Sequence, residues 1–145
     1  MKFEADIDGI RYSLDTDEQE ATVIKCVDKE RMGEVVIPES FFYQGIVYSV
    51  TSIGGNAFFD CCSLNSIIIP EGVTSIGWSA FAGCTSLTGI LIPKGVTFIG
   101  KEALKNSGIT YLTILGKLTI YEKAIDGCDK LTDVYCYSAE VPHAK

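Results

Sequence analysis

Residues 64–84 read LNSIIIPEGVTSIGWSAFAGC, and the pattern of this stretch recurs along the chain. Its central motif, Val-Thr-Ser-Ile-Gly at residues 73–77, also stands 23 residues earlier at residues 50–54. It returns 23 residues later at residues 96–100, with Phe98 in place of the serine. Two equal steps indicate a repeat protein, in which units of fixed length stack on one another.

The other apolar positions follow the same register. They are Ala57, Ala80 and Ala103; Phe58, Phe81 and Leu104; Cys61 and Cys84; Leu64 and Leu87; Ile67 and Ile90; and Ile69-Pro70 and Ile92-Pro93. The unit then shortens, because Ile109, Leu112 and Ile114 continue the pattern at a step of 22 residues. A last unit runs from Leu118 to Cys136, so we expect shorter loops at this end of the array.

Each unit carries one pattern typical of a strand and one typical of a turn. Leu64-x-x-Ile67-x-Ile69 places Ile67 and Ile69 on one face of a short strand, which Pro70 ends. The stretch 56–60 predicts a helical or 3₁₀ turn whose Ala-Phe pair points inward. A single unit exposes too much apolar surface to fold alone, and stacking buries that surface while the strands pair in parallel.

The chain before residue 50 departs from the repeat. Residues 10–14 and 22–27 alternate in polarity and predict a β-hairpin cap. Residues 33–38 repeat the strand-proline signature, and an insertion at 42–48 carries a turn at Gln44-Gly45. We therefore expect one structural domain with three regions: a cap and degenerate first repeat at 1–49, about four repeats at 50–142, and a tail at 143–145.

The unit Leu-x-x-Ile-x-Ile-Pro-x-x-Val-x-x-Ile-Gly-x-x-Ala-Phe-x-x-Cys, present without mismatch at residues 64–84, resembles the BspA-like leucine-rich repeat family of bacteria. The resemblance covers about residues 33–141, although Leu115-Gly116 replaces the proline turn in the third unit. It implies a leucine-rich-repeat solenoid, a short right-handed superhelix with a parallel sheet on its concave face and turn or 3₁₀ segments on its convex face. A parallel β-helix is the alternative fold. The resemblance also implies secretion or surface attachment, and adhesion to host matrix or cell-surface proteins.

The charge and hydropathy of the chain argue against two classes of partner. Twelve basic and nineteen acidic side chains give a net charge of −7, which disfavours binding to nucleic acid. No uncharged run reaches membrane-spanning length, so we expect no membrane insertion. Residues 1–12 contain no signal-peptide core, which leaves the localisation open even though the resemblance implies the cell surface.

Six cysteines and one histidine give no constellation for chemistry. No Cys-x-x-Cys pair occurs and His143 lies in the tail, so we expect neither a metal nor another cofactor. Nucleophilic catalysis needs a base beside the nucleophile, and we therefore expect no enzyme. Cys61 and Cys84 are interpreted as buried free thiols, with a disulfide between stacked units as the alternative. An acidic group at residues 6–18 lacks the EF-hand spacing and is interpreted as a solvated turn.

The candidate functional residues are the strand side chains that face away from the core, because the repeat aligns them in columns. One column consists of Val36, Ile68, Leu91, Thr113 and Tyr135, and its neighbour of Glu34, Ser66, Gly89, Tyr111 and Asp133. The residues predicted to bind a protein partner are Tyr111, Tyr135, Ile68, Leu91, Thr113, Asp133 and Tyr137. Trp78 is interpreted as local packing.

Two functions fit this pattern. The first is a non-catalytic protein-binding domain that uses the concave sheet, since exposed apolar patches with tyrosines are typical of interfaces. The second is a structural spacer or capping module of a larger protein or assembly. That module would self-associate weakly through its C-terminal edge, because no polar cap follows the last strand.

Overall fold

The computed structural model describes residues 1–30, 32–121 and 123–137. Within those residues the chain forms thirteen β-strands and no helix. The strands are β1 (Lys2–Ile7), β2 (Ile10–Asp15), β3 (Glu20–Cys26), β4 (Gly33–Val36), β5 (Ser40–Tyr43), β6 (Ile46–Ile53), β7 (Leu64–Ile68), β8 (Ser75–Ile76), β9 (Gly89–Ile92), β10 (Phe98–Ile99), β11 (Tyr111–Ile114), β12 (Thr119–Ile120) and β13 (Asp133–Cys136).

The N-terminal cap contains the predicted hairpin and one strand more. β2 pairs antiparallel with β3, and β1 pairs antiparallel with β2. Asp8 and Gly9 connect β1 to β2 with φ of 50° and 82°, the two positive values that a tight hairpin turn requires. The turn predicted at Gln44-Gly45 is confirmed, with φ of 48° and 85° between the antiparallel strands β5 and β6.

The predicted parallel sheet is present as two ladders. β9, β11 and β13 form a parallel three-stranded sheet, and β4 pairs in parallel with β7. The outward-facing side of these five strands is called the strand face below. Paired residues of β9 and β11, and of β11 and β13, are 22 residues apart in the sequence, which matches the shortened units.

A further parallel ladder, called the motif ladder below, joins the repeats along their Val-Thr-Ser-Ile-Gly motifs. β6, β8, β10 and β12 pair in that order, and β3 of the cap pairs in parallel with β6. Three of these strands are two residues long, too short for a sequence pattern to predict. The ladder fixes the cap to the repeats through the main chain.

The predicted turn segment is present, but it consists of tight turns and not of an α-helix or a 3₁₀ helix. Bonds of the turn type run from the Ala57 N–H to the Gly54 carbonyl at 3.3 Å and from the Phe59 N–H to the Asn56 carbonyl at 3.1 Å. Asn56 and Asp60 have φ of 60° and 56°, left-handed values that interrupt any helix. The segment is a chain of tight turns, bonded in parallel to the same segment of the next unit.

Left-handed φ returns at the same two positions of every turn segment. The first position is held by Asn56, Ser79, Glu102 and Lys123, and the second by Asp60, Gly83, Asn106 and Gly127. At the second position, residues with and without a side chain alternate. The carboxyl group of Asp60 occupies the space in which a Cβ atom at Gly83 would lie, and the amide of Asn106 does the same at Gly127.

The core lies between the strand-face ladders, the motif ladder and the turn segments, and it consists of the repeated positions. Phe58, Phe81, Cys61 and Cys84 have no solvent exposure. The rings of Phe58 and Phe81 stack nearly parallel, with centroids 5.2 Å apart and an interplanar angle of 2°. The glycine of each motif lets the main chains approach closely: an added Cβ at Gly77 would lie 2.5 Å from the Gly55 nitrogen.

Candidate partner-binding face

The structure places the predicted columns in register. In the first column Leu91 lies opposite Thr113, and Thr113 lies opposite Tyr135. In the second column Gly89, Tyr111 and Asp133 are paired in the same way. The N-terminal ladder pairs Val36 with Ile68 and Glu34 with Ser66. Each column is divided between the two ladders of the strand face.

Side chains alternate between core and solvent along β9 and β11, whereas all four residues of β13 are exposed. Leu112 is buried, whereas Tyr111 on the same strand is 45% exposed. Ile68, Leu91 and Tyr135 are 53%, 46% and 45% exposed. Asp133 and Tyr137 are exposed and Thr113 is half-buried. The strand face therefore presents aliphatic and tyrosine side chains side by side, held by a rigid ladder.

Tyr111 lies across a glycine of the neighbouring strand. A Cβ atom added at Gly89 would meet the Tyr111 ring, so the ring covers the main chain of β9. Gly89 thus provides the space that lets the ring lie along the sheet, while one ring face stays in contact with solvent. The sequence pattern placed the two residues in one column but did not predict this contact. The signal that could have indicated it is a glycine at the column position next to a tyrosine.

Tyr137 and Trp78 occupy different surroundings. The Tyr137 N–H donates to the Ile114 carbonyl at 2.7 Å, which fixes the main chain just beyond β13. Trp78 lies in the turn segments, where its indole covers Gly55: an added Cβ there would lie 2.5 Å from the ring. The interpretation of Trp78 as local packing agrees with this contact, although the side chain is also 58% exposed.

All six cysteines are free thiols. The Cys84 thiol donates to the Phe58 carbonyl at 3.0 Å, and burial raises the pKa of Cys84 to about 12. The interaction between the buried Cys26 and Cys61 thiols lowers the pKa of Cys26 and raises that of Cys61. Cys62 and Cys136 are exposed. The stacked cysteines thus act as small core residues, and the S–H groups of Cys84 and Cys128 donate to the carbonyls of Phe58 and Leu104.

The acidic N-terminal residues are engaged in local interactions. Asp6 accepts hydrogen bonds from the Arg11 guanidinium at 2.7 and 3.1 Å, which lower the pKa of Asp6. The Asp15 carboxylate accepts from the N–H groups of Asp17 and Glu18, closing the turn between β2 and β3. Among the described residues, no group of His, Cys, Asp or Glu is arranged to hold a metal ion. His143 lies outside the described residues.

The stacked 22- and 23-residue units, each with one strand on a common face, define a leucine-rich-repeat solenoid. Residues 36–140 match the BspA type leucine rich repeat region in six copies. The chain belongs to the BspA type leucine-rich repeat family. No curated protein sequence matches it.

Solved structures of bacterial proteins have the same fold. A leucine-rich repeat protein of Bacteroides ovatus is 27% identical with a TM-score of 0.68; the alignment covers 92% of this chain and 41% of that one. One from Bacteroides capillosus is 23% identical with a TM-score of 0.77, and coverage is 92% and 97%. The pneumococcal vaccine antigen PcpA is 20% identical with a TM-score of 0.75, and coverage is 92% and 38%.

The chain thus spans well under half the length of the Bacteroides ovatus protein. In the described part of the chain, no helix has the length and apolar character needed to cross a membrane.

Proposed function

We propose that this domain binds a protein partner on the strand face and serves adhesion at a bacterial surface. The observation that carries the proposal is the aligned set of half-exposed Leu91, Tyr111 and Tyr135 on one rigid ladder. Tyrosine supplies a large apolar ring with a polar hydroxyl and is enriched at the centre of protein interfaces. Membership of a leucine-rich repeat family supports interaction over catalysis as the mode of action.

The mechanism is surface complementarity. Ile68, Leu91 and the two tyrosine rings would lose water on contact with an apolar partner surface, while the hydroxyl groups and Asp133 hydrogen-bond at its border. Little ordering is needed in the free domain, because main-chain pairing already fixes the columns.

A Tyr111→Ala plus Tyr135→Ala double variant is expected to fold normally and to lose binding to immobilised host matrix proteins by about 100-fold or more. Two buried aromatic anchors commonly contribute about 2 kcal/mol each at an interface. Surface plasmon resonance measures the change. A Phe42→Ala plus Tyr121→Ala variant removes two exposed aromatic side chains from other surfaces and serves as the matched control. Unchanged binding by the tyrosine variant would disprove the assignment of the face.

A second candidate function is a spacer that self-associates through its C-terminal end. Val134, Ile120 and Ile125 are 50%, 45% and 42% exposed. The residues at the same repeat positions one unit earlier, Leu112, Ile99 and Leu104, are at most 2% exposed. Among residues 1–137, as far as the structure describes them, these core positions are therefore uncovered and β13 pairs on one side only.

Light scattering coupled to size-exclusion chromatography tests this second function. We expect a dimer fraction that increases between about 0.1 and 1 mM, as for a small interface. Val134→Lys plus Ile120→Lys should abolish it, because two charges would be buried in the contact. Val47→Lys, at an exposed valine of the cap, should leave it intact. A monomer at every concentration would rule out the self-associating spacer.

A further inference from the structure

A cavity of about 480 Å³ lies between the N-terminal cap and the first repeat strand, β4. Ile7, Met32 and Phe41 contribute apolar side chains to its wall. Three carboxylic acids, Asp8, Asp28 and Glu34, stand in the same lining, which contains no lysine or arginine among the described residues. Ligand sites of proteins have about this volume and this mixture of an apolar wall with a few polar groups.

The cavity runs along the edge of β4. Three consecutive residues, Glu34, Val35 and Val36, line it. In a strand their side chains point alternately to opposite sides, and accordingly Val35 is buried while Glu34 and Val36 are exposed. All three can line one cavity only if it follows the main chain between them. Among the strands that the structure describes, β4 pairs with β7 alone, so its other edge offers main-chain groups to an added strand.

Tyr12 brings a hydrogen-bonding group into the cavity wall. Its side chain is 1% exposed and lines the cavity. Its hydroxyl has no hydrogen-bond partner in the part of the chain that the structure describes. In the same part of the chain, every fully buried side-chain oxygen does have a hydrogen-bond partner. The hydroxyl therefore retains some solvent access, and Tyr12 is part of the cavity wall. Burial raises the pKa of Tyr12 to about 12, so the phenol is protonated at neutral pH and can donate.

We propose that this cavity binds an extended segment of a partner protein that carries a lysine or arginine between apolar residues. The segment adds a strand to the free edge of β4. Its cation lies between Asp8 and Glu34, and an apolar neighbour packs on Met32 and Phe41. The Tyr12 hydroxyl donates to one of its carbonyls. A chain with a net charge of −7 also attracts basic segments over a longer range. This site is separate from the tyrosines of the strand face.

Binding is tested with the ¹⁵N-labelled chain and the peptide acetyl-Val-Arg-Val-Lys-Val-amide. We expect amide shifts centred on residues 34–36 that weaken as salt is added, because salt screens the charges. The matched peptide acetyl-Val-Glu-Val-Glu-Val-amide should cause none. Equal binding of both peptides, or shifts centred on Tyr111 and Tyr135, would overturn the proposal.

Variants separate this site from general attraction between opposite charges. Asp8→Asn plus Glu34→Gln is expected to weaken binding of the basic peptide about tenfold, since two charge-assisted contacts are lost. Tyr12→Phe, which removes only the hydroxyl, should weaken it about threefold. Asp17→Asn plus Glu18→Gln changes the net charge equally, in a turn away from the cavity, and should weaken binding by less than about twofold, through long-range attraction alone. An equal loss in that control would show non-specific attraction and refute the site.

The strand-face variant distinguishes this proposal from the proposed function. Tyr111→Ala plus Tyr135→Ala should keep full affinity for the basic peptide, because neither residue lines the cavity. Loss of peptide binding in that variant, with a spectrum that shows native folding, would contradict a separate site. Loss of matrix binding together with retained peptide binding supports both proposals independently.

Discussion

Phe81→Ala is expected to lower the free energy of unfolding by about 3–5 kcal/mol, the range found when a buried aromatic ring is removed. Phe81 has no solvent exposure and stacks on Phe58, whose ring lies 5.2 Å away in the preceding unit. Truncation removes the transfer energy of the ring, leaves a cavity and breaks the stacked pair. Urea unfolding followed by circular dichroism measures the loss.

Two control variants test whether the loss is specific to the buried ring of Phe81. Phe59→Ala removes a neighbouring phenylalanine that is 42% exposed and should change the unfolding free energy by well under half as much. Phe81→Leu reproduces the leucine that the next unit carries at position 104 and should retain most of the stability. If Phe81→Ala and Phe59→Ala unfolded at the same urea concentration, the stacked core described above would be wrong.

Gly77→Ala is expected to destabilise the protein by at least about 2 kcal/mol, although it adds a single methyl group. The new Cβ would lie 2.5 Å from the Gly55 nitrogen and 2.8 Å from the Gly54 carbonyl carbon. Both atoms belong to the main chain, which cannot rotate away as a side chain does. The two units would have to move apart, weakening the hydrogen bond from the Gly77 N–H to the Ile53 carbonyl, now 2.8 Å long.

Gly54→Ala provides the matched control at the same position of the preceding unit. There the nearest atom to an added Cβ would be the Val23 carbonyl oxygen at 3.1 Å, so a shift of a few tenths of an ångström makes room. We expect a smaller loss, readily seen as a higher melting temperature than that of Gly77→Ala. Equal melting temperatures of the two variants would mean that the close contact between main chains does not restrict the size of the side chain at position 77.

The columns of the strand face could be predicted because the repeat fixes the register. Once Ile67 and Ile90 are assigned to the core, the residues beside them must face outward, and the pairing of Leu91 with Thr113 confirms the step of 22 residues. The exposed sides of these strands then follow from alternation alone. Whether the residues bind a partner stays a prediction, because geometry fixes where a side chain lies but not what it recognises.

Other features could not be predicted from local sequence. β8 and β10 are two residues long and exist only because neighbouring units pair with them. Asn56 and Asp60 are types that often adopt left-handed φ, whereas Glu102 and Lys123 are not, and stacking on the neighbouring units imposes their conformation. The helical interpretation of the turn failed for this reason: apolar spacing was read correctly, but the interrupting φ values were not visible.

The cavity beside β4 was also beyond sequence reasoning. Tyr12 and Asp8 come from the cap, Glu34 from the first repeat strand and Phe41 from the inserted hairpin. No local pattern links these segments. They meet because β3 pairs in parallel with β6, which places the cap against the first repeat.

The alternation of Asp60, Gly83, Asn106 and Gly127 restricts how repeat units can be added to the gene by duplication. A side chain in one unit fills the space left by the glycine of the next, so the structural period at this position is two units. Duplication of a single unit during recombination would place two glycines, or two side chains competing for one space, in adjacent units. Duplication of two units preserves the alternation. Lineages carrying this motif are therefore expected to gain and lose repeats in pairs.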